Sequence, residues 1–217
     1  MQTEINYEGL KTMESGKRAQ LINSVGGFKS ICLIGTINNS GNTNLAIFSS
    51  IVHIGANPPL ICFIMRPDSV ERHTLSNILE TGCYTINHLN KFIYKQAHQT
   101  AARYAKNISE FDAAGLTVAF KNNFKAPFVR ESNVQLAVEF KERVDLTINN
   151  TIMIIGEITG LYFPDNCLCE DGFLDIEKAG TISCSGLDSY HTSQRLERLS
   201  YAKPGTPLIT TEIKYIG

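Results

Sequence analysis

Apolar residues in this chain fall into short runs bounded by turn formers, the pattern of strands, and helical spacing shows in only two places. "FKSICLIGTI" (28–37) is rich in β-branched and apolar residues and reads as a strand, and "NNSGN" after it is a turn signal. "TNLAIFSSIVHIG" (43–55) continues with mixed polarity. "PPLICFIM" (58–65) is a second strong strand, started by prolines that a strand interior excludes. The first half therefore reads as antiparallel hairpins. "CYTINHL" (83–89) alternates as a strand does. "GLTVAF" (115–120), "NVQLAVEFKERVDLTI" (133–148) and "TIMIIGEITGLYF" (151–163) are three further strand candidates. In the middle one of these Val134, Leu136, Val138 and Phe140 point inward, as in a sheet with one wet face.

Helical spacing predicts a short helix over 74–80, with Leu75, Ile78 and Leu79 on one face and Gly82 as its stop. Its start is open between a capping box formed by Asp68 with Glu71 and a cap at Thr74. A second helix is expected over 92–106, with Ile93, Ala97, Ala101 and Tyr104 or Ala105 on one side. Six or seven strands and two or three helices, without βαβ spacing, predict a mainly β fold with a largely antiparallel sheet. Closing that sheet into a barrel removes exposed edges. No repeat, low-complexity tract or linker divides the chain. A single domain over 1–217, with its core at about 20–204, is the simplest organisation.

Composition narrows the function classes. The formal net charge is -1, so no global basic field suits nucleic acid, and any anion binding has to be local. No apolar run approaches the roughly 20 residues of a membrane helix. The polar start "MQTEINYEGLKTMESGKRAQ" lacks the apolar core of a signal peptide, and the chain reads as cytoplasmic with no membrane partner. Six cysteines fit a reducing compartment, with Cys32, Cys62 and Cys83 inside apolar runs as small hydrophobes. Cys167 and Cys169 form a C-x-C, but only Cys184 and His191 lie downstream, at a spacing that matches no common zinc pattern. No metal site is expected.

No G-x-G-x-x-G, Walker, nucleophile-elbow or H-E-x-x-H motif occurs. Chemistry concentrates instead in "IMRPDSVERHTLSNI" (64–78), where Arg66, Ser69, Arg72, His73 and Thr74 fall within nine residues. Charge-assisted donors beside a helix start suit a phosphate, while a charged pre-helix loop is commonly just solvated. Taken alone, this stretch is balanced between the two. In "NTNLAIFSSIV" (42–52), Asn44, Ser49 and Ser50 interrupt an apolar strand. Small polar groups at a strand end suit the edge of a flat heterocycle, but on this stretch alone the wet face of an exposed strand is the favoured reading.

Taken together, "TNLAIFSSI", "NPPLICFIMR" and "RHTLSNILETGCYTINHL" resemble the flavin reductase-like proteins with an FMN-binding split barrel, in order and approximate spacing. "SEFDAAGLT", "KAPFVRES", "IIGEI" and "GLDSYH" extend the resemblance over about residues 28–204, nearest to the flavoredoxin-like branch. Ile47 stands where the family usually has proline, and Tyr84 where Phe is commoner. The resemblance implies a six-stranded antiparallel Greek-key split barrel with peripheral α-helices, assembled as a homodimer with non-covalent FMN near the interface. By position, Asn44, Ala46, Phe48, Ser49 and Ser50 flank the ring and ribityl chain. Arg66, Arg72, His73 and Thr74 hold the phosphate, Asn77 assists them or braces the turn, and Tyr190 lines the flavin from the C-terminal segment.

The implied activity is an FMN-dependent oxidoreductase passing electrons from NAD(P)H to free flavin or a small acceptor. The alternative is an electron-transfer protein, a flavoredoxin, that exchanges electrons with a carrier protein and has no turnover with nicotinamide. Flavin chemistry requires no side-chain nucleophile, so no catalytic residue is nominated. His53 and His191 are read as structural before they are read as proton partners.

Overall fold

A computed structural model describes residues 1–216. Helices α1 (Tyr7–Thr12) and α2 (Ser15–Val25) come first, and neither buries a residue. With no apolar face committed to a core, they left no periodic signal in the sequence. After β1 (Lys29–Ser30), strands β2 (Cys32–Ile37) and β3 (Thr43–Phe48) form a hairpin. Its turn is closed by the Asn38 N–H donating to Asn42 O at 3.1 Å, with Gly41 at φ 87°, a conformation that favours glycine. A second hairpin pairs β4 (Ile51–Ala56) with β5 (Pro59–Met65).

Then follow α3 (His73–Thr81), β6 (Cys83–His88), α4 (Tyr94–Gln99), α5 (Glu110–Ala114), β7 (Val118–Ala119) and β8 (Phe128–Val129). The long strands β9 (Gln135–Leu146) and β10 (Thr151–Tyr162), a 3-10 turn at Asp165–Cys167, β11 (Ile182–Ser185) and β12 (Ser189–Thr192) complete the order.

Seven strands make one sheet in the order β3-β2-β6-β9-β10-β5-β4, all neighbours antiparallel. Its two edges, β3 and β4, are separated in the chain by only Ser49 and Ser50. The sheet must therefore curl until its edges meet at that corner. Among the described residues β3 and β4 do not pair, so the barrel stays split between them. The expected six strands become seven here because the Ser–Ser corner divides one mixed-polarity run into two edge strands.

Inside the curl lie Ile34, Phe63, Tyr84, Ile86, Val138 and Ile154, all essentially without solvent exposure. Phe63 packs edge-on against Phe48 at 4.9 Å and Tyr84 at 5.4 Å. A Cβ at Gly156 would come within 2.4 Å of Tyr84 Oη and Val138 Cγ1, so β10 can cross this core only with glycine. A second core lies behind β2 and β3, where Leu33 and Leu45 pack with Ile93, Ala97, Phe111 and Ile182 from α4, α5, β11 and their approaches. A three-stranded sheet, β1-β11-β12, covers this side.

Several expectations change. Val134, Leu136 and Val138 are buried as predicted, but so are Gln135 and Ala137, and the wet face begins only at Glu139. The helix expected over 92–106 stops at Gln99, because Ala101 and Ala105 are exposed and offer no stripe to pack. "GLTVAF" contributes only the two residues of β7. Helix α3 is capped by neither proposed device: its N-cap is Arg72, which makes no side-chain capping bond. Its end is as expected, with Gly82 at φ 72° donating to Ile78 O at 2.8 Å.

Candidate functional site

Asn44 is one of the few polar residues inside the barrel wall, and its amide sets the local architecture. Asn44 Nδ2 donates to Thr74 Oγ1 at 3.1 Å and to Thr36 Oγ1 at 3.3 Å, and Asn77 Nδ2 donates to the same Thr36 oxygen at 3.1 Å. All four residues are buried. A buried amide left unbonded is penalised, so this network fixes the first turn of α3 against the β2–β3 hairpin. Asn77 thus braces the turn. Thr36, the shared acceptor, was missed in the sequence, where a lone Thr late in "CLIGTI" is the only signal.

The start of α3 is electrostatically open. Ser76 N–H returns to Arg72 O, whereas the N–H groups of His73, Thr74 and Leu75 have no partner among the described residues. Such a terminus carries partial positive charge. Around it, Arg66 at the end of β5 is exposed and has no ion-pair partner among the described residues, and His73 is half-buried. Arg72 Nε and Nη2 both donate to Pro67 O, at 3.3 and 3.2 Å, so this guanidinium also closes the 66–72 loop. The loop's own carboxylates are taken by other bases: Asp68 by Arg143 at 3.0 Å and Glu71 by Lys106 at 2.6 Å. Arg66 is left free, and the loop's acids are neutralised.

Farther along β3, Ala46, Phe48, Ser49 and Ser50 are half-buried. Strand alternation puts Asn44, Ala46 and Phe48 on the barrel side, and Leu45 and Ile47 on the side of the second core. Ser50 Oγ donates to Ile64 O at 2.9 Å, locking the corner, and burial pushes up the pKa of the Cys184 thiol. Tyr190, on β12, pairs in register with Cys184 and packs on the second core together with Ile47. Its hydroxyl meets His98 Nδ1 at 2.8 Å, its ring packs on Tyr94 at 5.3 Å, and burial pushes its pKa up to about 12. The structure thus joins Asn44, Thr74 and Asn77 directly, sets Arg72 and His73 beside them, and ties Tyr190 to α4.

Glu110 was also missed. This 7%-exposed carboxylate at the start of α5 accepts the Leu45 N–H at 3.0 Å, on the outward side of the edge strand β3. Its signal in "SEFDAAGLT" was one of two acids, Glu110 and Asp112, each before an apolar residue. His53 is exposed on β4, and His191 Nε2 bonds Ser185 at 2.9 Å and Ser189 at 3.1 Å. All six cysteines are free and buried. No helix among the described residues is long and apolar enough to cross a membrane.

Comparison with known proteins adds an independent line. The model of the flavin reductase like domain matches residues 28–173. A split-barrel protein from Shewanella frigidimarina, described as of the flavin reductase type, superposes with a TM-score of 0.90 at 50% identity, covering 93% of this chain and 100% of its own. The 2-nitrobenzoate 2-nitroreductase of Pseudomonas fluorescens gives 0.78 at 22% identity, covering 94% and 98%. The flavoredoxin of Desulfovibrio vulgaris gives 0.68 at 21%, covering 82% and 92%. The last two establish likeness of fold.

Proposed function

The chain belongs to the flavin reductase-like family, and from that premise we propose that it is an FMN-binding oxidoreductase drawing electrons from NAD(P)H. The observation that carries this reading is the open start of α3 beside the half-buried end of β3. Three unpaired N–H groups with Arg66, Arg72, His73 and Thr74 form a donor set suited to a terminal phosphate. Asn44, Ala46, Phe48, Ser49 and Ser50 offer small polar groups and an apolar wall suited to the edge of a flat ring. Bound FMN would supply acceptance of an electron pair from nicotinamide and its onward delivery singly or in pairs. The chain's own work is to hold the phosphate, orient the ring and keep water from one face of it. No general base is required of it.

Assembly as a homodimer is part of this proposal. Edge strand β4 exposes Val52 and Ile54 and, among the described residues, has no strand on the side away from β5, an edge that natural sheets normally cover. Sedimentation is expected to give twice the 24.0 kDa chain mass. Six free cysteines agree with a reducing, cytoplasmic setting.

The test is an absorbance spectrum of the purified protein, followed by anaerobic addition of NADH or NADPH. Flavin bands that bleach support the reductase. Bands that persist with both donors make the protein an electron carrier of the flavoredoxin kind. If no flavin co-purifies and added FMN fails to bind, the proposal is wrong.

A further inference from the structure

We propose, resting on the phosphate reading of the α3 start, that Glu110 is a positioning residue of this site with an added electrostatic role: its carboxylate fixes edge strand β3 from outside, and phosphate binding draws a proton onto it.

The mechanical part follows from topology. β3 pairs with β2 on one side only, so alternate N–H groups along it face away from the sheet. The Leu45 N–H is one of these, and Glu110 Oε2 accepts it at 3.0 Å. The neighbouring contact between Thr43 Oγ1 and Ser109 Oγ, at 2.8 Å, seats the start of α5 on the same edge. The residue before Leu45 on β3, Asn44, reaches Thr74 in the first turn of α3 at 3.1 Å. Glu110 is therefore two short contacts from the open helix start and holds the strand that carries Asn44 and Ala46.

The electrostatic part follows from that placement. An ionised carboxylate this close to a bound phosphate opposes it, unless it takes a proton from solvent. Burial already pushes the Glu110 pKa up, while the N–H groups of Leu45 and of Glu110 itself, and His73, pull it down. β3 carries no titratable residue. On α4 stand Tyr94, Lys95 and His98, none of which acts on Glu110, and Lys106 before α5 is taken by Glu71. His73 is thus the one side chain of another element that acts on Glu110, and a phosphate held by His73 competes with Glu110 for it.

The experiment measures FMN and riboflavin affinity, by quenching of flavin fluorescence, for wild type, Glu110→Gln, Glu110→Ala, Arg66→Ala and Arg72→Ala. The amide oxygen introduced by Glu110→Gln still accepts the Leu45 N–H, so E110Q retains the fold. It is expected to bind FMN roughly five-fold more tightly than wild type at about pH 8, with the two converging near about pH 5. Riboflavin, lacking the phosphate, is expected to bind both equally. The ratio of the two proteins at each pH cancels the titration of the phosphate, which they share. Glu110→Ala is expected to weaken both ligands, because it releases β3, whereas Glu110→Gln keeps riboflavin binding intact. If E110Q tracks wild type at every pH while Arg66→Ala or Arg72→Ala shifts the FMN-to-riboflavin ratio, the inference is overturned and the phosphate reading stands. If neither arginine variant shifts that ratio, the phosphate is not at α3, and both fall together.

Discussion

The start of α3 and the C-terminal segment over Asp175 are both dense in polar side chains, and they are wired in opposite ways. Asp175 is 2% exposed and accepts from Arg195 Nη2 at 2.5 Å, Tyr215 Oη at 2.8 Å and Lys178 N at 3.0 Å. Burial pushes its pKa up, but Arg195, the Lys178 N–H and Tyr215 outweigh that and hold it well below the usual carboxylate range. Arg198 pairs with Asp171 and lies 4.1 Å over the Phe173 ring, and Lys178 Nζ sits 3.3 Å over Tyr215. A cleft of about 680 Å³ opens beside these groups, yet they are turned to one another, with Arg198 Nη1, buried without a partner, the one exception among the described residues. At α3 the buried amides are satisfied, and what is left over is a row of N–H groups and an arginine facing outward. Cavity size points to the C-terminal segment. Unused hydrogen-bonding capacity points to the start of α3, and it is the better guide to binding, because a ligand gains from a polar group only what the fold has not already taken.

The strongest way to break this comparison is at Asp175. Asp175→Ala leaves Arg195 and Tyr215 without their acceptor and is expected to destabilise the protein by about 3 kcal/mol in urea unfolding, with flavin affinity unchanged. A variant of normal stability that loses flavin would reverse the roles assigned to the two regions. The mirror experiment is Arg66→Ala or Arg72→Ala. Each is expected to weaken FMN by roughly 1.5–3 kcal/mol, or about one to two decades. Arg66→Ala, which breaks no internal bond, should leave the unfolding midpoint where it was.

A pH titration sharpens the point. His88 bonds Thr181 Oγ1 at 3.1 Å, and burial pushes its pKa down to about 4 from an ordinary 6.5. The unfolded chain therefore takes up this proton before the folded one does. Stability is expected to fall by about 2 kcal/mol as pH drops from 6.5 to 4, and His88→Gln should flatten that window. Flavin affinity, corrected for unfolding, should not follow His88.

The smallest effect tests the limit of the rule. Tyr84 Oη is fully buried without a hydrogen-bond partner, but it points into apolar core rather than an opening. Unused capacity there is a defect, not a site. Tyr84→Phe is expected to raise stability by about 1 kcal/mol and to change nothing in binding. A loss of flavin in that variant would mean the barrel interior is reached by the ligand.

Much of this fold was legible in the sequence because the information is local. The β-branched runs, the prolines before β5 and Gly82 after α3 each act through their own backbone, and their elements form where expected. Helices α1 and α2 were not legible, since they bury nothing and so leave no periodic pattern. At the candidate site the cluster from Arg66 to Thr74 was visible as composition. The division of labour within it was not, because Arg72's hold on Pro67 depends on how the loop folds back.

By itself the sequence determined a mainly β, antiparallel chain whose cationic residues gather at one strand-to-helix step, and the order of motifs that marks the family. Only the tertiary structure decided which of those residues remain free. Seven strands had to curl before Ser49 and Ser50 became a barrel corner, α3 had to pack on the β2–β3 hairpin before Asn77 met Thr36, and α5 had to seat on the edge strand before Glu110 reached the outer N–H of Leu45. Those contacts join residues up to 65 positions apart. Hydrogen bonding is short-ranged and directional, so no local pattern can announce a partner that only the folded chain brings within reach.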